Sequence, residues 1–508
     1  MRASASDFRT VRLSLADLCG AEYADRVCRA ASAARKVKLE NLRKLATRRV
    51  DFLPQRFQSR LVSLLPKTGT VVSRPFASKE LGASSAPFVS ATKITNAPLT
   101  GFGYFRIAED GRLYVISKAE HYHASLGHSF PGYKLIEVAK ALGIPNATHN
   151  NTRGAITRTL EHELTYAASA NGAKLDRVLN LETGSLAVEA AFKMILARFY
   201  KSQDDSPEPK YAGKTPVFVV IGNDNGGLQG NYHGTTILCQ TLRGMWPDFA
   251  SILERAGAIV VKPVRPNSLD DVRKVFARFD SGKYKIAGFF HEIVMMNYGA
   301  RVLTPEFLSA VYKMCETQDV ATVDDEIQSC LWHPDLFMFK EWNLKPSFVA
   351  VGKGFPGGEF PASRILFNSE FDLLPQFGAL VTNGQEELAS LAYLVTMAWA
   401  KANSDVIRRL GDYFETRLHE TAQNHKGLVA SVDGSRHMLG IGFNNVTEAK
   451  AVAAELNAGG LDISVQTYKA DCPPSALLKL PLIMGRVAMD FVIERIDAAL
   501  KKAERTRL

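Results

Sequence analysis

The residue most able to do chemistry is a lysine set between two glycines after an apolar run, in Ala350-Val351-Gly352-Lys353-Gly354. Lysine is seldom buried without a partner. Held in apolar surroundings, its amine loses basicity and can add to a carbonyl carbon. A solvent-facing turn lysine accounts for the segment equally well. Asp324-Asp325-Glu326-Ile327-Gln328 closes another apolar run. A carboxylate there can bind a metal, act as a base or hold a protonated ring nitrogen, and an acidic loop is the plain alternative. Glu182-Thr183-Gly184-Ser185 opens a helical stretch. Its free N–H groups and hydroxyls could cradle a phosphate, or Thr183 or Ser185 could simply cap the helix. Gly230-Asn231-Tyr232-His233-Gly234-Thr235 places an aromatic ring in a glycine-rich loop. Such a ring can stack on a flat ligand or be half buried for packing alone.

These segments need elements to position them. Short apolar runs occur at 177–181, 217–221, 258–262, 286–291, 320–324, 348–351 and 364–367. Helical stretches at 187–200, 268–279 and 305–317 lie between them. This alternation predicts an α/β fold with a mainly parallel sheet covered on both faces. Ligands bind such sheets at the carboxyl ends of the strands, where the lysine and the acidic segment stand. A strand pair with an Asp110-Gly111 turn is expected near 105–107 and 113–116. One long helical run is expected from 386 to about 425, and a smaller α+β domain over 426–508. The division expected is 1–90 as a basic extension and linker, 91–170 as the start of the small domain and entry to the large one, 171–385 as the large domain, and 386–508 as linking helix and C-terminal small domain.

The chain has 508 residues, more than one hydrophobic core accommodates. No apolar stretch of membrane-spanning length occurs. Six scattered cysteines form no C-x-x-C pair, which predicts neither disulfides nor a cysteine zinc site and fits a reducing cytoplasm. Residues 1–60 hold 14 Lys/Arg against 6 Asp/Glu and so carry most of the net charge of +10. The interleaved acids, and the lack of an aromatic stacking pattern, predict a solvated helical extension rather than a nucleic-acid surface. Asp7, Asp17, Glu22 and Asp25 are out of character for a transit peptide. Residues 61–100, rich in Ser, Pro, Thr and Ala, read as a linker or extended arm.

Taken in order, the segments resemble the class III (ornithine/GABA-type) aminotransferase family, which depends on pyridoxal 5'-phosphate (PLP). The resemblance runs from roughly 95 to 500. It is carried by Leu126-Gly127-His128, Glu182 to Ala187, Tyr232-His233-Gly234, Asp325-Glu326-Ile327-Gln328, Gly352-Lys353-Gly354 and Val381-Thr382-Asn383-Gly384. Asp325 and Lys353 stand 28 residues apart, close to the family spacing, and Lys345-Pro346-Ser347-Phe348 resembles the family's approach to the lysine strand. The resemblance implies the type I PLP fold, with a seven-stranded, mainly parallel sheet in the large domain. Lys353 is then the Schiff-base lysine and the proton shuttle, and Asp325 the partner of the pyridinium nitrogen. Gln328 faces the phenolic oxygen, and Gly184 and Ser185 hold the phosphate with the Thr183 hydroxyl. Tyr232 stacks on the ring. Thr382 reaches the phosphate from the other subunit, which implies a homodimer. Glu292 matches a family segment with either a structural or a catalytic role. The implied reaction moves an amino group from an amine or amino acid to an oxo acid or aldehyde. An aminomutase, racemase or decarboxylase on the same fold, or a PLP-binding regulatory protein, are the alternatives.

The departures fall on the substrate side. Leu186 replaces a family glutamate, Thr235 an arginine, and Glu386-Glu387 an N-P pair. Leu477 stands where many members have the arginine that grips an α-carboxylate. Arg153, Lys479 or Arg486 are the candidate substitutes, and amine substrates without that carboxylate gain ground. His121, Tyr122 and His123 are expected to line the substrate. A zinc site of His121, His123 and His128 is not expected.

Overall fold

The computed structural model describes residues 7–78, 80, 82–92, 96–169, 172–466 and 472–505. Its central sheet has seven strands: β1 (Arg177–Leu181), β2 (Thr215–Ile221), β3 (Val260–Val264), β4 (Tyr284–His291), β5 (Ala321–Asp325), β6 (Phe348–Val351) and β7 (Ser363–Phe367). They lie in the order β1-β7-β6-β5-β4-β2-β3. Only β7 runs against its neighbours.

Both faces of this sheet are covered, so its strands are apolar almost throughout rather than alternating. All seven residues of β2 are buried. Val217, Val219 and Ile221 enter one core, and Phe218 and Val220 the other. The second core is closed by helix α1 (Gly184–Leu196), whose Phe192 stacks on Phe218 at 4.1 Å between ring centroids. A C-terminal antiparallel sheet is built from Val429–Ser435, Met438–Phe443, Ser464–Val465 and Ser475–Lys479. A three-stranded sheet, Pro98–Phe102, Phe105–Ala108 and Leu113–Val115, stands before the central one. It contains the expected pair and adds a third strand.

Two expectations are revised. The helical run after 386 is two helices, Glu387–Ala402 and Ser404–Gln423. Asn403 separates them: its side-chain amide donates to the Trp399 carbonyl, and its Oδ1 accepts from the Arg9 backbone N–H. The basic N-terminal stretch is not simply solvated. Leu15, Cys28, Leu42, Phe52 and Leu61 are buried in the same core as the central sheet, and Phe52 meets Phe130 edge-on. Its charges stay outside, several in pairs such as Arg29 and Arg43 with Asp25. The first six residues of that stretch lie outside the described residues.

Candidate active site

The ends of β1, β5 and β6 open on a cavity of about 960 Å³ lined by Thr183, Gly184, Ser185, Tyr232, Asp325, Gln328 and Lys353. Seven of the eight residues singled out for a cofactor therefore share one cavity. Thr382 does not line it; it is exposed, next to Asn383, whose N–H donates to Glu182.

The chain around the lysine is tightly specified. A Cβ on Gly352 would lie 2.3 Å from the Ser363 hydroxyl, and one on Gly354 would lie 2.4 Å from the Trp332 ring. Both glycines are thus required by close packing. Lys353 itself has φ +36°, a left-handed conformation that is costly for a residue with a Cβ. Burial drives its amine pKa down to about 8 against the opposing pull of Glu292 and Asp325. The neutral, nucleophilic fraction near pH 7 rises by about two orders of magnitude relative to a free lysine.

Asp325 is buried and held from behind. One carboxylate oxygen meets His233 Nδ1 at 2.9 Å, and the other accepts from the Ile327 N–H at 3.2 Å. Glu292 ties two loops together, accepting from the Tyr232 backbone N–H and from Gln328 Nε2. Gln328 Oε1 and His233 Nε2 are buried without a hydrogen-bond partner among the described residues. Buried polar atoms are rarely left so. Asp324, one residue earlier, points into the opposite core. Burial, with Glu326, Asp325 and Glu292 near it, pushes its pKa well above the usual carboxylate value, and its Oδ1 lies 3.7 Å from His291 Nδ1.

Thr183 caps α1, accepting from the Leu186 N–H. The bland reading of that threonine is therefore correct, and it is compatible with the other. The first N–H groups of the helix still lack intrahelical acceptors, and they line the cavity. The Tyr232 loop packs against them: a Cβ on Gly234 would lie 2.6 Å from the Ser185 backbone, and the Thr235 N–H donates to the Ser185 hydroxyl at 3.0 Å.

The facing wall is built differently. Ala119, Glu120, His121 and Tyr122 all have positive φ, from +44° to +79°, one turn of left-handed helix. Each such residue costs about 1–2 kcal/mol. Glu120 anchors the turn. Its carboxylate receives Arg106 at 2.5 Å and His128 Nε2 at 2.9 Å, and Arg106 also pairs with Asp462. His128 is thus an anchor, apart from the cavity wall. Tyr122, buried, lies under the Lys353 amine at 5.2 Å from ring centroid to Nζ. His121 and His123 line the cavity. Burial, then the nearby lysine charges, lowers the His121 pKa to about 3, and His123 shifts the same way. The charged form of both rings is thus disfavoured.

The three candidate substitutes for the missing arginine do not meet substrate. Arg153 pairs with Glu161 in a separate groove. Arg486 lies against Tyr413. Lys479 is wholly buried, its amine 3.7 Å from the Trp332 ring centroid and donating to the Gln328 carbonyl. The cavity residues that sequence reasoning missed include Lys118, Arg243, Ser464 and Gln466. None stands at the end of a central strand, so no local pattern marks them. His233 was visible in the Tyr-His-Gly segment, but its hold on Asp325 was not.

Residues 95–498 match the family model described as aminotransferase class-III. Acetylornithine aminotransferase of Aquifex aeolicus is 26% identical over 352 residues, covering 67% of this chain and 82% of that protein. Ornithine aminotransferase of Toxoplasma gondii has the same fold, with TM-score 0.67 at 18% identity, covering 82% of this chain and 92% of that one. An aminotransferase from Vibrio fluvialis, solved with pyridoxamine phosphate (PMP) bound, has TM-score 0.66 at 17% identity, covering 84% and 96%. The chain belongs to the class-III aminotransferases. It is a PLP-dependent transaminase of the type I fold.

Proposed function

We propose that Lys353 is the amine that attaches the PLP aldehyde and afterwards moves the proton at the reacting carbon of the substrate. The observation that carries this is one cavity holding a lysine of lowered basicity, a carboxylate anchored on its far side and a helix N-terminus. The residues present fit the group. The N–H groups at the start of α1, with Thr183 and Ser185, suit a phosphate. Asp325, oriented by His233, suits a protonated ring nitrogen, and Gln328, tied to Glu292, keeps an amide N–H and an unpartnered Oε1 for the cofactor's polar edge. Tyr232 supplies an aromatic face. Bound PLP supplies an electron sink for the bond broken at the substrate carbon. The protein orients the Asp325 carboxyl toward the ring through His233 and keeps Lys353 Nζ able to take and return a proton.

On this reading the substrates are an amino acid or amine donor and an oxo acid or aldehyde acceptor. The active unit is a homodimer in which the exposed Thr382 reaches the phosphate of the second subunit. The division at 385 into a PLP-binding domain and a smaller one belongs to the same reading. A cytoplasmic setting accords with six free cysteines, five of them buried. Among the described residues, no helix is long and apolar enough to cross a membrane. The test is a half-reaction followed by absorbance. An amino donor should convert the bound cofactor to its amine form, and an oxo acid should restore it, with a dimer mass by light scattering. Repeated turnover of the donor without any acceptor, or full activity in a monomer, would contradict the reading.

A further inference from the structure

Among the described residues, one guanidinium lines the cavity, that of Arg243. It stands just past the short helix Ile237–Thr241, where its own N–H donates back to the Gln240 carbonyl. Its guanidinium carbon lies 4.6 Å from the centroid of the Tyr232 ring, a stacking contact that suits Arg better than Lys. Its Nε is buried and has no hydrogen-bond partner among the described residues. None of their carboxylates pairs with it.

Arg106 and Arg364 likewise leave a buried Nε unpartnered, but the terminal nitrogens of the chain's interior arginines are engaged. Arg106 meets Glu120 and Asp462, and Arg198 meets Asp319. Arg364 donates to the Leu181 and Ser363 carbonyls and to Ser390. Arg243 is half-buried, and a guanidinium N–H buried without an acceptor is costly. A ligand that brings a planar anion would supply one, with paired N–H···O bonds.

The other cationic or potentially cationic groups of the cavity are committed. Lys353 is the reacting amine. The Lys118 amine donates to the Ser464 hydroxyl. In His121 and His123 the charged form is disfavoured. An amino-acid donor and an oxo-acid acceptor differ at the reacting carbon but share a carboxylate, so one receptor can serve both halves of the reaction.

We propose that Arg243, backed by the Tyr232 ring, is the receptor for the substrate carboxylate. This rests on the assignment of the cavity as the transamination site and names the substrate class it takes. Substrates carry a carboxylate, and the grip comes from a position 234 residues before Leu477.

The test uses the PLP-loaded protein, its Arg243→Met and Arg243→Lys variants, and glutarate as the carboxylate probe, with glutaramide as its uncharged control. Binding is read by calorimetry, and PLP affinity is measured separately by fluorescence on the cofactor-free forms. Glutarate is expected to bind the wild type in preference to glutaramide. Arg243→Met should lose at least about tenfold in glutarate affinity, Arg243→Lys should recover part of it, and PLP affinity should stay within about threefold of the wild type. Equal binding of the two probes by the wild type, or unchanged glutarate affinity in Arg243→Met, overturns the proposal. A loss of PLP affinity with glutarate binding intact also overturns it, assigning the guanidinium to the cofactor phosphate. If PLP never attaches, the Lys353 reading fails by itself. Glutarate titrated into the cofactor-free protein must then show the same dependence on Arg243, or this proposal fails too.

Discussion

Along one wall of the cavity, Ser185, Asp325 and Lys353 each stand within four residues of the carboxyl end of a central strand. Along the other, His121 and Tyr122 ride on a left-handed turn, and Arg243 lies 22 residues past the strand before it. The first wall is placed by the sheet. Once the strands pair, the position of each side chain follows from chain geometry, and close-packed glycines fix the rest. The second wall is placed by tertiary anchors, chiefly Glu120 between Arg106 and His128. A reaction core can be kept on the first wall while substrate preference changes on the second.

The sharpest way to break this comparison is to remove a sheet-placed group. Lys353→Ala should lower the transamination rate by about 10⁴-fold, since attachment and proton transfer share one amine. Stopped-flow half-reactions would show it. Next is the contrast within Asp324-Asp325. Asp325→Asn should cost about 10²- to 10³-fold in kcat/KM by removing a charge aimed at the ring. Asp324→Asn should stay close to wild type, because Asp324 points away from the cavity and burial disfavours its charged form. Equal losses in the two variants would mean that the acidic pair acts as a unit.

On the anchored wall the effect is smaller. Glu120→Ala should raise the KM for the amino donor about tenfold while PLP affinity holds, as strain of a few kcal/mol loses its anchor. Glu120→Gly should lose less, because glycine adopts the positive φ without cost. A comparable fall in PLP affinity would show that the two walls are not independent. The Lys353 amine should show its lowered basicity directly. In the cofactor-free protein, labelling of Lys353 by an amine reagent should rise with pH about a midpoint near 8, because the neutral form reacts. A midpoint near that of a free lysine would mean the amine is solvated. Outside the cavity, Leu15→Ala should cost about 3 kcal/mol in urea unfolding, which a solvated extension would not.

Much of this was readable from the residues, for physical reasons. The run at 348–351 coincides with β6 because a strand buried on both faces is continuously apolar; the run at 177–181 coincides with β1 although Arg177 is exposed and Asn180 is polar. The run at 258–262 is shifted by two residues, as β3 spans Val260–Val264. Asn403 was not seen as a break because its effect depends on the distant Arg9 backbone. In residues 1–60 the charges dominate the composition, yet they occupy only the outer face. Leu15, Leu42 and Phe52, which fix the segment to the core, are spread singly among those charges. Arg243 has no pattern of its own. Its significance lies in the Tyr232 ring beside it and in the lack of a carboxylate partner, which only the folded chain displays.

The central claim, that Lys353 carries the cofactor, is tested most directly by adding PLP, reducing with borohydride and mapping the labelled peptide. A visible band that reduction abolishes, a label on Lys353, and neither in Lys353→Ala are the predicted results. A protein that stays colourless, or a label on Lys118 or Lys479 instead, would contradict the account.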